Sequence, residues 1–137
     1  DLWLDGKPLF SDGGTYSYND GDEWTRYFGG IAGHNSIMFD DREPMPRVGR
    51  FLLGDWLDAH DVVVESRANH SLAQASYRDR HGASHQREVE LHDGGATIRD
   101  TIAGFRIGAT LRWRLNGDNW TVLDRQVSNG TVCIAIT

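Results

Sequence analysis

The feature that most constrains this chain is strict alternation of apolar and polar residues, punctuated by Asp and Gly, through most of its second half. His85 to Leu91 alternates, His92-Asp93-Gly94-Gly95 supplies a turn, and Ala96 to Ile102 alternates again. Successive strand side chains point to opposite sides, so Thr97, Arg99 and Thr101 share one face and Ala96, Ile98, Asp100 and Ile102 the other. A helix would scatter these residues around its axis, so the pattern predicts half-buried antiparallel strands. Near the start, Leu2 to Leu4 and Pro8 to Phe10 flank Asp5-Gly6, which predicts a hairpin because Asp-Gly provides the positive φ of a type I′ turn. Further strands are predicted over 36–39, 48–53, 62–66, 71–80, 109–115, 120–123 and 131–136, with Leu111, Trp113 and Leu115 on the core face. Only 20–28 reads as a helical turn, with Asp22 and Glu23 placed favourably near its N-terminus. About ten short strands with frequent turns predict an all-β fold, an antiparallel β-sandwich.

A chain of 137 residues matches one domain with one core, and neither a repeat nor a convincing linker divides it. Residues 1–137 are therefore expected to form a single domain. The formal net charge of -6 gives a field that disfavours nucleic acid and anionic membrane surfaces as partners. No apolar run reaches the roughly 18 residues that span a bilayer. Cys133 is the one cysteine, so an internal disulfide is excluded, and its apolar alternating surroundings predict a core position. The chain opens in what reads as mid-strand, without an initiator methionine, and is expected to be part of a longer protein.

The polar chemistry is concentrated between Pro8 and Phe39, where Asp12, Tyr16, Tyr18, Arg26, Tyr27 and His34 lie in one excursion between strands. Connections are ordinarily about 2–6 residues, and much longer ones are often functional. Asp12 and His34, each at a strand edge, are candidates to meet. A carboxylate oxygen and an imidazole nitrogen form part of a zinc ligand set. The alternative is structural: Asp12 closes an Asx turn before Gly13-Gly14, and His34 makes a buried hydrogen bond.

The segments SDGGTYSYN, WTRYFGGIAGHNSIMFDDR and HQREVELHDGGATIRDTIAG resemble the C-terminal β-sandwich region of the heparinase II/III-like polysaccharide lyases, including alginate and oligoalginate lyases. The resemblance spans nearly the whole chain and is most specific over residues 11–39. It implies zinc held by Asp12, by His34 and by a histidine of an HxHxD-like segment just before Asp1. It also implies β-elimination at a uronic acid, with the carboxylate neutraliser and principal tyrosine supplied by an N-terminal α-helical toroid. The expected partners are thus acidic polysaccharide and that toroid domain, with no catalytic residue in this chain and no activity from it alone. A periplasmic or secreted location accompanies the family.

Within the chain, Tyr18 and Arg26 are the candidate substrate-facing residues. The alternatives are that Tyr18 packs on a sheet and that Arg26 pairs with Asp22 or Glu23. Asn35 either joins the site or orients a nearby loop. Arg42, Arg47 and Arg50 form a local basic cluster suited either to a uronate chain or to a solvated edge. His60, His70, His81, His85 and His92 read as surface residues, and Asn69, Asn119 and Asn129 open short glycosylation-type triplets. A second function class is a non-catalytic carbohydrate-binding or scaffolding sandwich, using Trp3, Trp24, Trp56 and Trp120 to stack on sugars.

Overall fold

The structure, a computed structural model, describes residues 1–14, 21–49 and 52–137. It is all-β, built among the described residues from antiparallel sheets with one short α-helix and one 3-10 turn. The Cα trace separates into two compact units, one comprising 1–29, 33–35 and 113–137, the other 30–32 and 36–112.

In the first unit, β1 (Leu2–Leu4) and β2 (Lys7–Phe10) form the expected hairpin. Asp5 and Gly6 take φ of 49° and 73°, the left-handed pair that a tight hairpin turn requires. Phe10 is buried, packs at a tilt on Trp113 with ring centroids 4.9 Å apart and bridges to Leu115. The helix α1 (Asp22–Phe28) starts with Asp22 and Glu23 and ends at Gly29, whose N–H caps the carbonyls of Thr25 and Tyr27. The other strands of this unit, named in chain order after those of the second, are β9 (Thr121–Leu123), β10 (Gln126–Ser128) and β11 (Cys133–Ala135). They pair as β11-β10-β9. The alternation did not reveal β10, which follows a turn made by Asp124 at φ 50° rather than by glycine. Cys133 is exposed, which corrects the core assignment: its side chain stands on a face of the β11-β10-β9 sheet that is not buried.

The second unit contains β3 (Ile37–Phe39), paired with β8 (Ala109–Leu111), and a four-stranded meander. The meander strands are β4 (His60–Arg67), β5 (His70–Arg78), β6 (Ser84–His92) and β7 (Gly95–Ala103). Register places Val64, Ala73, Val89 and Ile98 in one row, and Glu88 opposite Arg99 on the other face. The two faces of β7 are those the alternation predicted. Ile37, Phe39 and Ala83 form the buried cluster, flanked by Tyr77 and Ile102.

Two expected strands are corrected. The described residues of 48–53 form no strand: the N–H of Val48 and Gly49 donate to the Leu52 carbonyl, and Gly54 N–H donates to the Pro46 carbonyl. Arg47 and Leu53 are joined by a single isolated antiparallel bridge. The strand expected over 109–115 stops at Leu111, because β3 offers three residues to pair with. From Trp113 onward the chain pairs with residues 9–11 instead.

Candidate functional site

Asp12 and His34, 22 residues apart in sequence, meet in the first unit with Asp12 Oδ1 2.6 Å from His34 Nδ1. Close backbone approach makes the contact. Gly13 N–H donates to the Gly33 carbonyl at 3.0 Å. A Cβ at Gly13 would lie 2.3 Å from that oxygen, and a Cβ at Gly33 would lie 2.7 Å from the Tyr27 carbonyl. Only glycine permits these three backbone segments to touch. The short 3-10 turn at Ile31–Gly33 then delivers His34 to Asp12.

The second oxygen of Asp12, Oδ2, accepts the N–H of Gly14 at 2.7 Å, so the Asx turn and the His34 contact coexist. Asp12 N–H donates in turn to the Asp1 carboxylate at 2.7 Å. Burial opposes ionisation of Asp12, but the hydrogen bonds from His34 and Gly14 outweigh it and hold the carboxyl below its ordinary range. The side chains remain 43% and 35% exposed, so an ion from solvent can reach both.

The donor chemistry suits zinc: one carboxylate oxygen and one imidazole nitrogen converge from rigid turns. Among the described residues no group of three or more His, Cys, Asp or Glu side chains assembles to complete the set. The described residues thus present two donors. With Nδ1 facing a carboxylate, the proton on that nitrogen is held by Asp12, and a metal has to displace it to use both atoms.

Asn35 is a positioning residue. Its Oδ1 accepts the backbone N–H of Arg114 at 2.6 Å, and Ser11 N–H donates to the Arg114 carbonyl at 3.2 Å. The Arg114 guanidinium lies 5.8 Å from the Phe28 ring and 5.9 Å from that of Tyr27, and donates to the Tyr27 hydroxyl at 3.0 Å. Sequence reading passed over Arg114, since nothing in its local pattern marks it. Its link to the site comes from the backbone pairing of 113–116 with 9–11.

Arg26 is exposed on α1 and has no hydrogen bond or ion pair with Asp22 or Glu23 among the described residues. Tyr16, Tyr18 and Arg50 lie outside the described residues. Arg42 does not act as a free surface cation: it pairs at 2.5 Å with Asp79, whose side chain is fully buried. Trp120 is half-buried, its indole N–H donating to the Asn116 carbonyl, whereas Trp3, Trp24 and Trp56 are exposed.

A second polar cluster went unrecognised in the sequence. His85, assigned to the surface, is buried, with Nε2 2.7 Å from Asp100 Oδ1, and Arg87 grips Asp100 through Nε at 2.7 Å and Nη2 at 3.0 Å. Burial opposes ionisation of Asp100, and these bonds overcome it to lower its pKa. Tyr77 packs edge-on against His85, and burial together with the Asp79 charge pushes its phenol up. Asp40 accepts the N–H groups of Arg106, Ile107 and Gly108, which secures the loop before β8.

The model of the family described as Heparinase II/III-like, C-terminal, matches residues 1–135. The chain belongs to that family. Comparison with curated proteins and comparison with solved structures each give no match. Membership makes this heparinase II/III-like chain a polysaccharide-lyase-related domain. Its match takes in both Asp12 and His34 and the turns that join them.

Proposed function

We propose that this domain is part of a lyase that cleaves uronic-acid-containing polysaccharide by β-elimination, and that Asp12 and His34 are two of the ligands of a zinc ion within it. The observation that carries the reading is the convergence of Asp12 Oδ1 and His34 Nδ1 at 2.6 Å in a chain matched to the family from residue 1 to 135. The third ligand is assigned to a residue preceding Asp1, a reading supported by the Asp1 carboxylate lying against the Asp12 backbone.

Elimination requires neutralising the C6 carboxylate, removing the C5 proton with a base and protonating O4 as the C4–O4 bond breaks. Zinc bound at Asp12 and His34 would supply a fixed positive charge that cross-links the two turns. The chain's own part is to hold those turns and line the substrate path, with Arg26 and Tyr18 as wall residues. Base and neutraliser are assigned to an N-terminal toroid domain, so the isolated chain is proposed to be inactive. An assay for unsaturated uronate ends tests this: activity is expected from the protein with its toroid and none from residues 1–137. Elimination by the 137-residue chain would overturn the division of roles.

A second reading, a non-catalytic carbohydrate-binding module, is favoured by the exposure of Trp3, Trp24 and Trp56. It predicts glycan binding that is lost with Trp56→Ala and indifferent to Asp12→Ala.

A further inference from the structure

Arg114 is partly exposed and is held by the residues next to the Asp12–His34 pair. Its backbone is bound by Ser11 and Asn35, the immediate sequence neighbours of Asp12 and His34. Its guanidinium rests on the aromatic side of α1. Trp24, Tyr27 and Phe28 share that side at helical spacing, with Trp24 and Phe28 stacked at 6.0 Å and Tyr27 edge-on to Phe28 at 5.1 Å. The Tyr27 hydroxyl occupies one of the guanidinium's five N–H donors. Like Arg26, Arg78, Arg106, Arg112 and Arg125, Arg114 has no carboxylate pair among the described residues, so its remaining donors are not committed to an internal anion.

We propose that Arg114, with Tyr27 and Trp24, forms a subsite for one acidic sugar residue, the carboxylate on the guanidinium and the sugar's C–H face on the indole. The chemistry is complementary. A planar fork of donors pairs two-pronged with a carboxylate, and an exposed ring covers the apolar face of a pyranose. Trp24 and Tyr27 are 50% and 40% exposed, so part of each ring remains open to solvent. Arg114 binds and orients; no proton transfer is assigned to it. The inference rests on the acidic-polysaccharide reading above and assigns to it a residue that the sequence did not single out.

The test is calorimetric titration of the 137-residue chain with a uronate tetrasaccharide and with the same tetrasaccharide after reduction of its carboxyl groups to alcohols. The chain is expected to bind the acidic form and to lose about tenfold or more in affinity with the reduced form and with Arg114→Gln. Arg114→Lys, which keeps the charge but not the fork, should fall between, and Trp24→Ala should weaken both forms. Raised salt should weaken the original chain more than Arg114→Gln. Circular dichroism and zinc titration of each variant report on the fold and on the Asp12–His34 pair independently. If the acidic form is preferred but Arg114→Gln binds it undiminished, the subsite is refuted and the polysaccharide reading stands. Equal binding of both forms, or binding of neither, overturns the subsite. Equal binding also removes the support for a uronate substrate.

Discussion

Replacing Gly13 by alanine tests how the fold builds the site. The added Cβ would sit 2.3 Å from the Gly33 carbonyl oxygen and 3.3 Å from Phe28 Cδ1, whereas ordinary contact begins at 3.4 Å. The two turns must therefore part by about 1 Å, breaking the Gly13–Gly33 hydrogen bond. Loss of that bond costs about 1 kcal/mol and overpacking adds about 1–3 kcal/mol, so about 2–4 kcal/mol of stability is expected to go. Carried through to the side chains, the same displacement opens the 2.6 Å contact of Asp12 with His34 to about 3.7 Å, beyond hydrogen-bond range. Gly14→Ala is the control. Its φ of 59° strains an alanine by about 1–2 kcal/mol, but nothing lies within 4 Å of the new Cβ. Urea unfolding of both variants measures the difference, and a midpoint lowered by about 1–2 M is expected for Gly13→Ala. The reasoning is refuted if Gly13→Ala is no less stable than Gly14→Ala and keeps the zinc affinity of the unaltered chain.

Asp100→Asn should destabilise the chain by about 2 kcal/mol, read by urea unfolding, because it leaves Arg87 and His85 half-satisfied in a partly buried setting. Its effect on pH dependence has a definite sign. The folded-state pKa values of Asp12, Asp79 and Asp100 lie below the ordinary 3.8, so their contribution is present above that value and is lost as pH falls through the lowered values. Stability should fall steeply below about pH 4 in the original chain and less steeply in Asp100→Asn; parallel curves would contradict this. Asp79→Ala removes the acceptor for the His81 and Ala83 N–H groups and the partner of Arg42, at a cost of about 2–4 kcal/mol. Hydrogen exchange at those two amides should accelerate selectively. Cys133, being exposed, should react with a thiol reagent in the folded chain, and reaction only after denaturation would restore it to the core.

The hairpins were legible where two signals agreed. In β6 and β7, alternation and the Gly94-Gly95 turn specify the same register, and the sheet adopts it. Alternation alone overextended β8, since strand length depends on the partner, and β3 ends at Phe39. It also misplaced 48–53, whose described residues bond to each other and to Pro46 rather than to a neighbouring strand. The buried charges stayed hidden for a related reason. A polar residue at an inward position, such as His85 or Asp100, looks like a surface residue until its cross-strand partner is known, and Arg87 stands directly opposite Asp100. At the site, the turn and the histidine strand named Asp12 and His34, but Arg114 lies 80 residues beyond His34 and enters through backbone pairing that no local motif encodes.

The most direct test of the central claim is zinc binding by the protein carrying the residues that precede Asp1, followed by titration and X-ray absorption of the bound metal. One zinc per chain with nitrogen and oxygen ligands is predicted, with affinity falling about 100-fold or more in Asp12→Ala and in His34→Ala while both variants stay folded. Zinc bound equally well by the doubly substituted protein, or not at all by the unaltered one, would contradict the account.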